Sequence, residues 1–272
     1  MKIVNMRKEL DINQIGLYRA PNEYQYLNYN DRLEGVITDT IVIHYTVGDF
    51  RSSYLTLTAP RGVSAHYLID RDGRIDNLVP DDKRAWHAGK SYWHEDNVND
   101  FSIGIELVNS GSGQSIDLNG KLSWEQIDLF PQAQMVSLVA LIDYIKSNNP
   151  NIKNQNIVGH SDIALGRKID PGIAFNWKYL ADNGHGLYSD DKHDCPTVLY
   201  KFGDSCEGIK SIQAKLSKYG YNTSVTGEFD EDTQNVVRAF NMHFHNDTTF
   251  DYEIWDSVSD MRLDALLECQ QI

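Results

Sequence analysis

Hydrophobic positions follow two rhythms along the first two thirds of the chain. Thr40–Thr46 (T-I-V-I-H-Y-T) is dominated by Ile and Val and shows no polar face, as expected of a strand covered on both sides. Ser64–Asp70 and Arg74–Val79 read as two further strands, and the R-D-G-R between them carries the Asp-Gly signal of a hairpin turn. Phe101–Val108 is a fourth strand with Glu106 near its end, and Ile157–Val158 a short fifth. The other rhythm is helical. Met135, Leu138, Val139, Ile142 and Ile145 form one stripe, Pro131 fits the first helical position, and Asn148-Asn149-Pro150 is a stop, so a helix is predicted over about 131–146. Gly48–Pro60 reads as loop or a short helix, Asp81–Asn99 as an aromatic-rich loop and Ser110–Asn119 as a Gly/Ser-rich loop. The class implied is α/β, a mixed β-sheet flanked by helices.

From about Ala181 to Thr197 the chain turns to Gly, Asp, His and Ser, and the pattern beyond it changes. Ile209, Ile212, Leu216 and Tyr219 mark one helix, Val236, Val237, Phe240 and Phe244 a second, and Leu263, Leu266 and Leu267 a third. These predict a small all-α three-helix domain. The divisions expected are an N-terminal arm over 1–38, polar and Tyr/Asn-rich with no assignable chemistry; an α/β domain over 39–182; a linker over 183–197; and the helical domain over 198–272. No internal repeat spans the two parts.

Composition narrows the function. A formal charge of −14 disfavours a nucleic-acid partner, whose phosphates attract clustered Lys and Arg. No apolar run approaches the roughly 20 residues that span a bilayer, and the start M-K-I-V-N-M-R-K-E-L-D lacks the apolar core of a signal peptide. Cys195, Cys206 and Cys269 fit neither a disulfide framework nor a Cys-x-x-Cys metal pattern, and read as free thiols, with a Cys195–Cys206 bridge as the alternative.

The chemistry gathers in Ile157–Gly172 (I-V-G-H-S-D-I-A-L-G-R-K-I-D-P-G). His160 and Asp170 are zinc-type ligands ten positions apart, and His44, at the end of the first buried strand, is the candidate third. Two His and one Asp leave a tetrahedral corner for water, which zinc ionises near pH ~7. Glu106, a carboxylate within the apolar run I-G-I-E-L, is the candidate proton carrier, against the plain alternative of a strand-end group that reaches solvent. Lys168 is the candidate for stabilising a developing oxyanion, with Arg167 its competitor and a surface lysine the plain alternative. His66 reads as a structural, hydrogen-bonded histidine and His94 as exposed. Trp86, His87 and Asn109 are candidate substrate contacts. Asp162 either orients a ligand imidazole or caps a turn. A mononuclear iron centre also uses two His and one carboxylate; the adjacent lysine speaks against it.

At these residues the sequence resembles the zinc-dependent N-acetylmuramoyl-L-alanine amidases, in their AmpD/AmiD-like branch. The blocks that carry the resemblance are I-V-I-H-Y-T, V-S-A-H-Y-L-I-D-R-D-G, D-K-R-A-W-H-A-G, N-D-F-S-I-G-I-E-L and G-H-S-D-I-A-L-G-R-K-I-D-P-G, in family order over about Ile41–Trp177. Ile169 and Leu165 depart mildly, at positions that vary in relatives. The resemblance implies one Zn2+ per chain on His44, His160 and Asp170, with catalytic Glu106 and Lys168. It implies hydrolysis of the amide between the lactyl group of N-acetylmuramic acid and L-alanine. T-G-E-F-D-E-D-T-Q-N-V-V-R-A-F is similar to small helical peptidoglycan-binding domains, which implies peptidoglycan or muropeptides as partner and favours the bacterial envelope, with the cytoplasm as alternative. A recognition protein that binds muropeptides without cleaving them is the competing reading; such a protein should lack one of the five site residues. A chain ending near Asp190 is expected to keep cleaving small muropeptides and to lose retention on sacculi.

Overall fold

The computed structural model describes residues 17–19, 28–111, 115–116, 122–123, 127–190, 196–245 and 250–270. Most of the expected arm, residues 112–114 and 117–119 of the expected Gly/Ser-rich loop, and the linker residues 191–195, with Cys195, lie outside the described residues. Six strands form the main sheet: β1 (Leu17–Arg19), β2 (Thr40–Tyr45), β3 (Tyr67–Ile69), β4 (Ile75–Asn77), β5 (Ser102–Leu107) and β6 (Ile157–Gly159). Their order is β1-β4-β3-β5-β2-β6. Only the β3–β4 hairpin is antiparallel; the other neighbours run parallel. The fold is therefore the mixed sheet that the alternation of strand and helix patterns predicts.

Period-two geometry explains the uniform apolarity of β2 and β5. Ile41, Ile43, Ile103, Ile105 and Leu107 share one face and pack on Met135, Leu138, Leu141, Ile142 and Ile145 of the long helix. The opposite face carries Val42, Gly104, His44 and Glu106, paired Val42 to Gly104 and His44 to Glu106. One side of each strand thus builds the core while the other builds the site.

Seven helices are described: α1 (Phe50–Thr58), α2 (Gln132–Asn148), α3 (His160–Ile163), α4 (Trp177–Asp182), α5 (Glu207–Tyr219), α6 (Glu231–Phe244) and α7 (Ser257–Cys269). The segment left as loop or short helix is helix α1. Asp49 caps it by accepting from the Ser52 N–H at 2.8 Å, and Leu57 packs with Leu68 beneath it. Pro131 is the cap before α2 and not its first helical residue, with ψ 149°. Val139 only flanks the α2 core, and Leu141 takes a buried place in it. The expected 81–99 loop contains short paired segments, Lys83–Ala85 against Tyr29–Asp31 and Tyr92–Trp93 against Glu95–Asp96. Residues 28–32 are thereby stitched to the domain. Arg32 adds to the stitching by donating to the carbonyls of Asp81, Asn99, Asp100 and Ser102.

All the apolar positions that marked the three C-terminal helices are buried. Their core is not closed on itself. One continuous cluster joins Ile209, Ile212, Leu216, Phe240 and Leu263 to Val42, Ala88, Trp93, Val158 and Ile163 of the α/β part. Trp93 stands edge-on to Tyr221, with ring centroids 5.1 Å apart. Cys206 and Cys269 are free and exposed.

Candidate metal centre and its cavity

Three chain segments converge at the end of the sheet. His44 closes β2, His160 opens α3 directly after β6, and Asp170 ends the turn that follows. The turn is closed by the Ser161 N–H donating to the Asp170 carbonyl at 2.8 Å. The His44 and His160 Nδ1 atoms are 3.0 Å apart, and Asp170 Oδ2 lies 3.2 and 3.0 Å from them. These residues are the cluster of potential metal ligands found among the described residues.

The far nitrogens fix the tautomers. His160 Nε2 donates to the Ala88 carbonyl at 3.2 Å, and His44 Nε2 donates to His87 Nδ1 at 3.0 Å. His87 Nε2 in turn donates to Ser102 Oγ at 3.2 Å, and Ser102 donates on to the Val98 carbonyl at 2.6 Å. Both Nδ1 atoms are therefore turned toward Asp170, and in the neutral rings their lone pairs point into the space between the three residues. Three lone-pair donors this close repel one another unless a cation sits among them, so the donor set fits a metal. Gly104 makes room for the relay: a Cβ there would lie 2.4 Å from the His87 ring.

Charge states agree with that role. Burial, then the proximity of His160, brings His44 down to about 4, and burial with His44 and His66 nearby pushes His87 well down. Burial raises the Asp170 carboxyl, but its two histidine partners more than reverse this and hold it far below the usual carboxylate range. Neutral imidazoles and an ionised carboxylate are the forms that bind metal.

Glu106 lies directly across the sheet from His44. Its Oε2 is shut from solvent without a hydrogen-bond partner. Burial, reinforced by the Asp170 charge and opposed by Lys168, raises its carboxyl well above the ordinary value. Lys168 is exposed and stands at the rim of the same cavity of about 210 Å³. Tyr45, Thr46, Val47, Val63 and the Ser53, Thr56 and Leu57 face of α1 complete its walls. Sequence reasoning did not single these out; their signal was the helical spacing of α1 directly after a candidate ligand strand. Val47 adopts φ 57°, which is strained for a β-branched residue and is the kind of conformation that gathers at functional sites.

The three expected substrate contacts are placed unequally. His87 borders the cavity, but both ring nitrogens are engaged in holding His44. Trp86 donates from Nε1 to Asn30 Oδ1 and is not part of the cavity wall. Asn109 is buried, donating to the Asp128 carbonyl and accepting from the Gly111 N–H. Arg167 donates to the carbonyls of Ala88 and Lys90, away from the cavity that Lys168 borders. His66 is structural: Nδ1 accepts from the Gly104 N–H and Nε2 donates to the Lys83 carbonyl. His94 is exposed.

Asp162 does more than either role weighed for it. Fully buried, it accepts from the Gly159 N–H at 2.7 Å, from Tyr221 Oη at 2.8 Å and from His243 Nδ1 at 2.8 Å. Tyr221 and His243 belong to the helical part, and His243 is stacked on Trp177 with centroids 3.7 Å apart. The segment that carries His160 is thus held from behind by the C-terminal helices.

A half-buried carboxylate beside a candidate three-ligand metal site with an open side, at the end of a mixed sheet, defines a metallohydrolase class of site. The particular kinship follows from comparison. Residues 34–173 match the family model for N-acetylmuramoyl-L-alanine amidase, and residues 206–249 match a peptidoglycan binding domain. The chain is 36% identical to the N-acetylmuramoyl-L-alanine amidase AmiD of Escherichia coli over 84% of its own length and 82% of the relative's. It is 35% identical to the 1,6-anhydro-N-acetylmuramyl-L-alanine amidase AmpD of Haemophilus influenzae over 65% of this chain and 98% of the relative. The solved structure of E. coli AmiD with its substrate anhydro-N-acetylmuramic acid-L-Ala-D-gamma-Glu-L-Lys superposes with a TM-score of 0.71 at 32% identity, covering 88% of this chain and 93% of that one. AmpDh3 of Pseudomonas aeruginosa with anhydromuramic pentapeptide gives 0.67 at 31%, covering 90% and 97%. The chain belongs to the N-acetylmuramoyl-L-alanine amidase family.

Proposed function

We propose that the protein hydrolyses the amide between N-acetylmuramic acid and L-alanine in peptidoglycan or muropeptides, with the 1,6-anhydro form among its substrates. Zinc is the metal that His44, His160 and Asp170 would hold. When bound, it supplies Lewis acidity, polarising a carbonyl oxygen and making water nucleophilic at neutral pH. The observation that carries the reading is the convergence of three donor atoms within 3.2 Å of one another beside Glu106, whose Oε2 is shut from solvent without a hydrogen-bond partner.

The chain's own residues supply the rest. Glu106, with its raised proton affinity, takes a proton from the attacking water and returns it to the departing amide nitrogen. Lys168 stabilises negative charge that develops on the substrate oxygen at the cavity rim. Val47, Val63 and Leu57 give the cavity an apolar wall against which the lactyl and alanyl methyl groups lie. A muropeptide-binding protein without catalysis has no use for a half-buried carboxylate with a partnerless oxygen at this point, which favours the enzyme. The peptidoglycan-binding match and kinship with AmiD support work at the cell envelope. No described helix is long and apolar enough to cross a membrane.

The test pairs metal content with turnover. Purified protein should carry about one zinc per chain, and Glu106→Gln should keep the zinc while turnover of a soluble anhydro-muropeptide falls roughly 10²–10⁴-fold. A zinc-replete parent that leaves the muropeptide intact would sink the proposal.

A further inference from the structure

A second cavity, of about 500 Å³, lies between the two parts of the molecule and shares no lining residue with the metal cavity. Its volume is that of a ligand site. The turn from His160 to Asp170 borders both: His160, Lys168 and Asp170 line the metal cavity, while Ile163, Ala164, Leu165 and Arg167 line the second. The facing wall comes from the helical part, through Asn222, Thr223, Ser224, Asp232 and Asn235.

Its chemistry differs from that of the metal cavity. Apart from the Asp232 carboxylate, the helical wall is amide and hydroxyl, able both to donate and to accept, and the opposite wall adds Lys90 and Asp96. Thr223 Oγ1 is shut from solvent and has no hydrogen-bond partner, an unmet demand that a polar ligand would satisfy. Tyr92, half-buried in the opposite wall, offers an aromatic ring. Arg167 is pinned through Nη2 to the carbonyls of Ala88 and Lys90, both at 2.7 Å, so its Nε and Nη1 are held in place without a protein acceptor among the described residues. The cleft is also built to a fixed width. At Gly166, with φ 67°, a Cβ would lie 2.7 Å from Asn235, so the metal-site turn approaches α6 as closely as a glycine permits.

We propose that this cleft is a second binding site for the glycan strand of peptidoglycan, separate from the site that cuts the peptide. Sugar hydroxyls and acetamido groups present mixed donors and acceptors, which the Asn, Ser and Thr side chains match. Sugar faces lie against an aromatic ring, and the fixed guanidinium meets a sugar carboxylate. The inference rests on the proposed amidase function for the identity of the polymer. It puts the grip on the polymer at the junction of the two parts.

The experiment uses the full chain and soluble peptide-free glycan strands of alternating N-acetylglucosamine and N-acetylmuramic acid, which hold no bond for an amidase to cut. Calorimetric titration should show binding by the parent. Ser224→Trp, placed on an exposed loop to fill the cleft, should weaken it at least tenfold with an unchanged thermal midpoint. Thr223→Val, which removes only the hydroxyl, should weaken it several-fold. Undiminished glycan binding in both variants, or binding of free stem peptide in place of glycan, would overturn the assignment. Turnover of a soluble muropeptide by the parent tests the amidase reading separately, so either idea can fail without the other.

Discussion

Replacing Tyr221 by Phe removes one hydroxyl from the interior and nothing else. That hydroxyl donates at 2.8 Å to Asp162, a carboxylate with no exposure to solvent, whose other donors are the Gly159 N–H and His243. A hydrogen bond to a buried charge contributes about 1.5–3 kcal/mol, and losing one of three leaves part of that charge unsolvated. A stability loss of about 2 kcal/mol follows, or roughly 4–8 °C in thermal midpoint for a chain of this size. The more telling effect is at the metal. Asp162 anchors the first turn of α3, two residues beyond His160, so a looser anchor widens the positions His160 Nδ1 samples. Zinc affinity should fall, within the 10–100-fold typical when a ligand's support is removed. The assay is competition with a chromophoric chelator at a temperature where both proteins are folded. A cycle with Asp162→Asn apportions the coupling, which should exceed about 1 kcal/mol. Parent-like zinc affinity in Tyr221→Phe, with additive behaviour in the cycle, would show that the helical part does not support the metal site.

Other outcomes follow from the same geometry. Gly104→Ala should drive its new methyl into the His87 ring and lower zinc affinity about tenfold or more, measured by the same competition; an unchanged value would remove His87 from the support of His44. A chain ending at residue 190 uncovers Val42, Trp93, Val158 and Ile163, so it should bind a hydrophobic dye and aggregate; a monomeric fragment with full muropeptide turnover would refute the shared core. Stability should also depend on His66. Burial, with Arg32 nearby, brings this histidine down to about 3 from an ordinary 6.5, so the unfolded chain binds its proton first. Its contribution is therefore present above pH 6.5 and is lost as pH falls toward 3, on the order of 5 kcal/mol in all. Urea melts across that window should show a shallower pH slope in His66→Asn; an unchanged slope would exclude His66 as a titrating group there.

The strands and the long helix were legible because their patterns are local. Unbroken Ile and Val in β2 mean cover on both faces, wherever that cover comes from. His44, His160 and Glu106 were legible because each is a polar group set at the end of, or inside, an apolar run, and Asp170 because it follows His160 by ten positions, directly before Pro171-Gly172. What covers a buried face is not written locally. The stripes of α5 and α6 look the same whether they close on each other or on Val42 and Trp93, so the tail read as a separable unit. The bonds from Tyr221 and His243 to Asp162 span 59 and 81 residues, and no spacing rule reaches so far. Trp86 and Asn109 hydrogen-bond to Asn30 and Asp128, partners that no local pattern points to.

The unbroken interior between sheet and tail has a mechanical meaning. A wall-gripping module on a floppy leash lets its blade sweep a sphere of sites, at a rate set by leash length. Here the grip and the blade are cast as one piece, so the offset between anchorage and incision is a constant of the molecule. Such a tool has to let go and land again to cut elsewhere, and the periodicity of the polymer, more than any tether, then dictates which bonds come within reach.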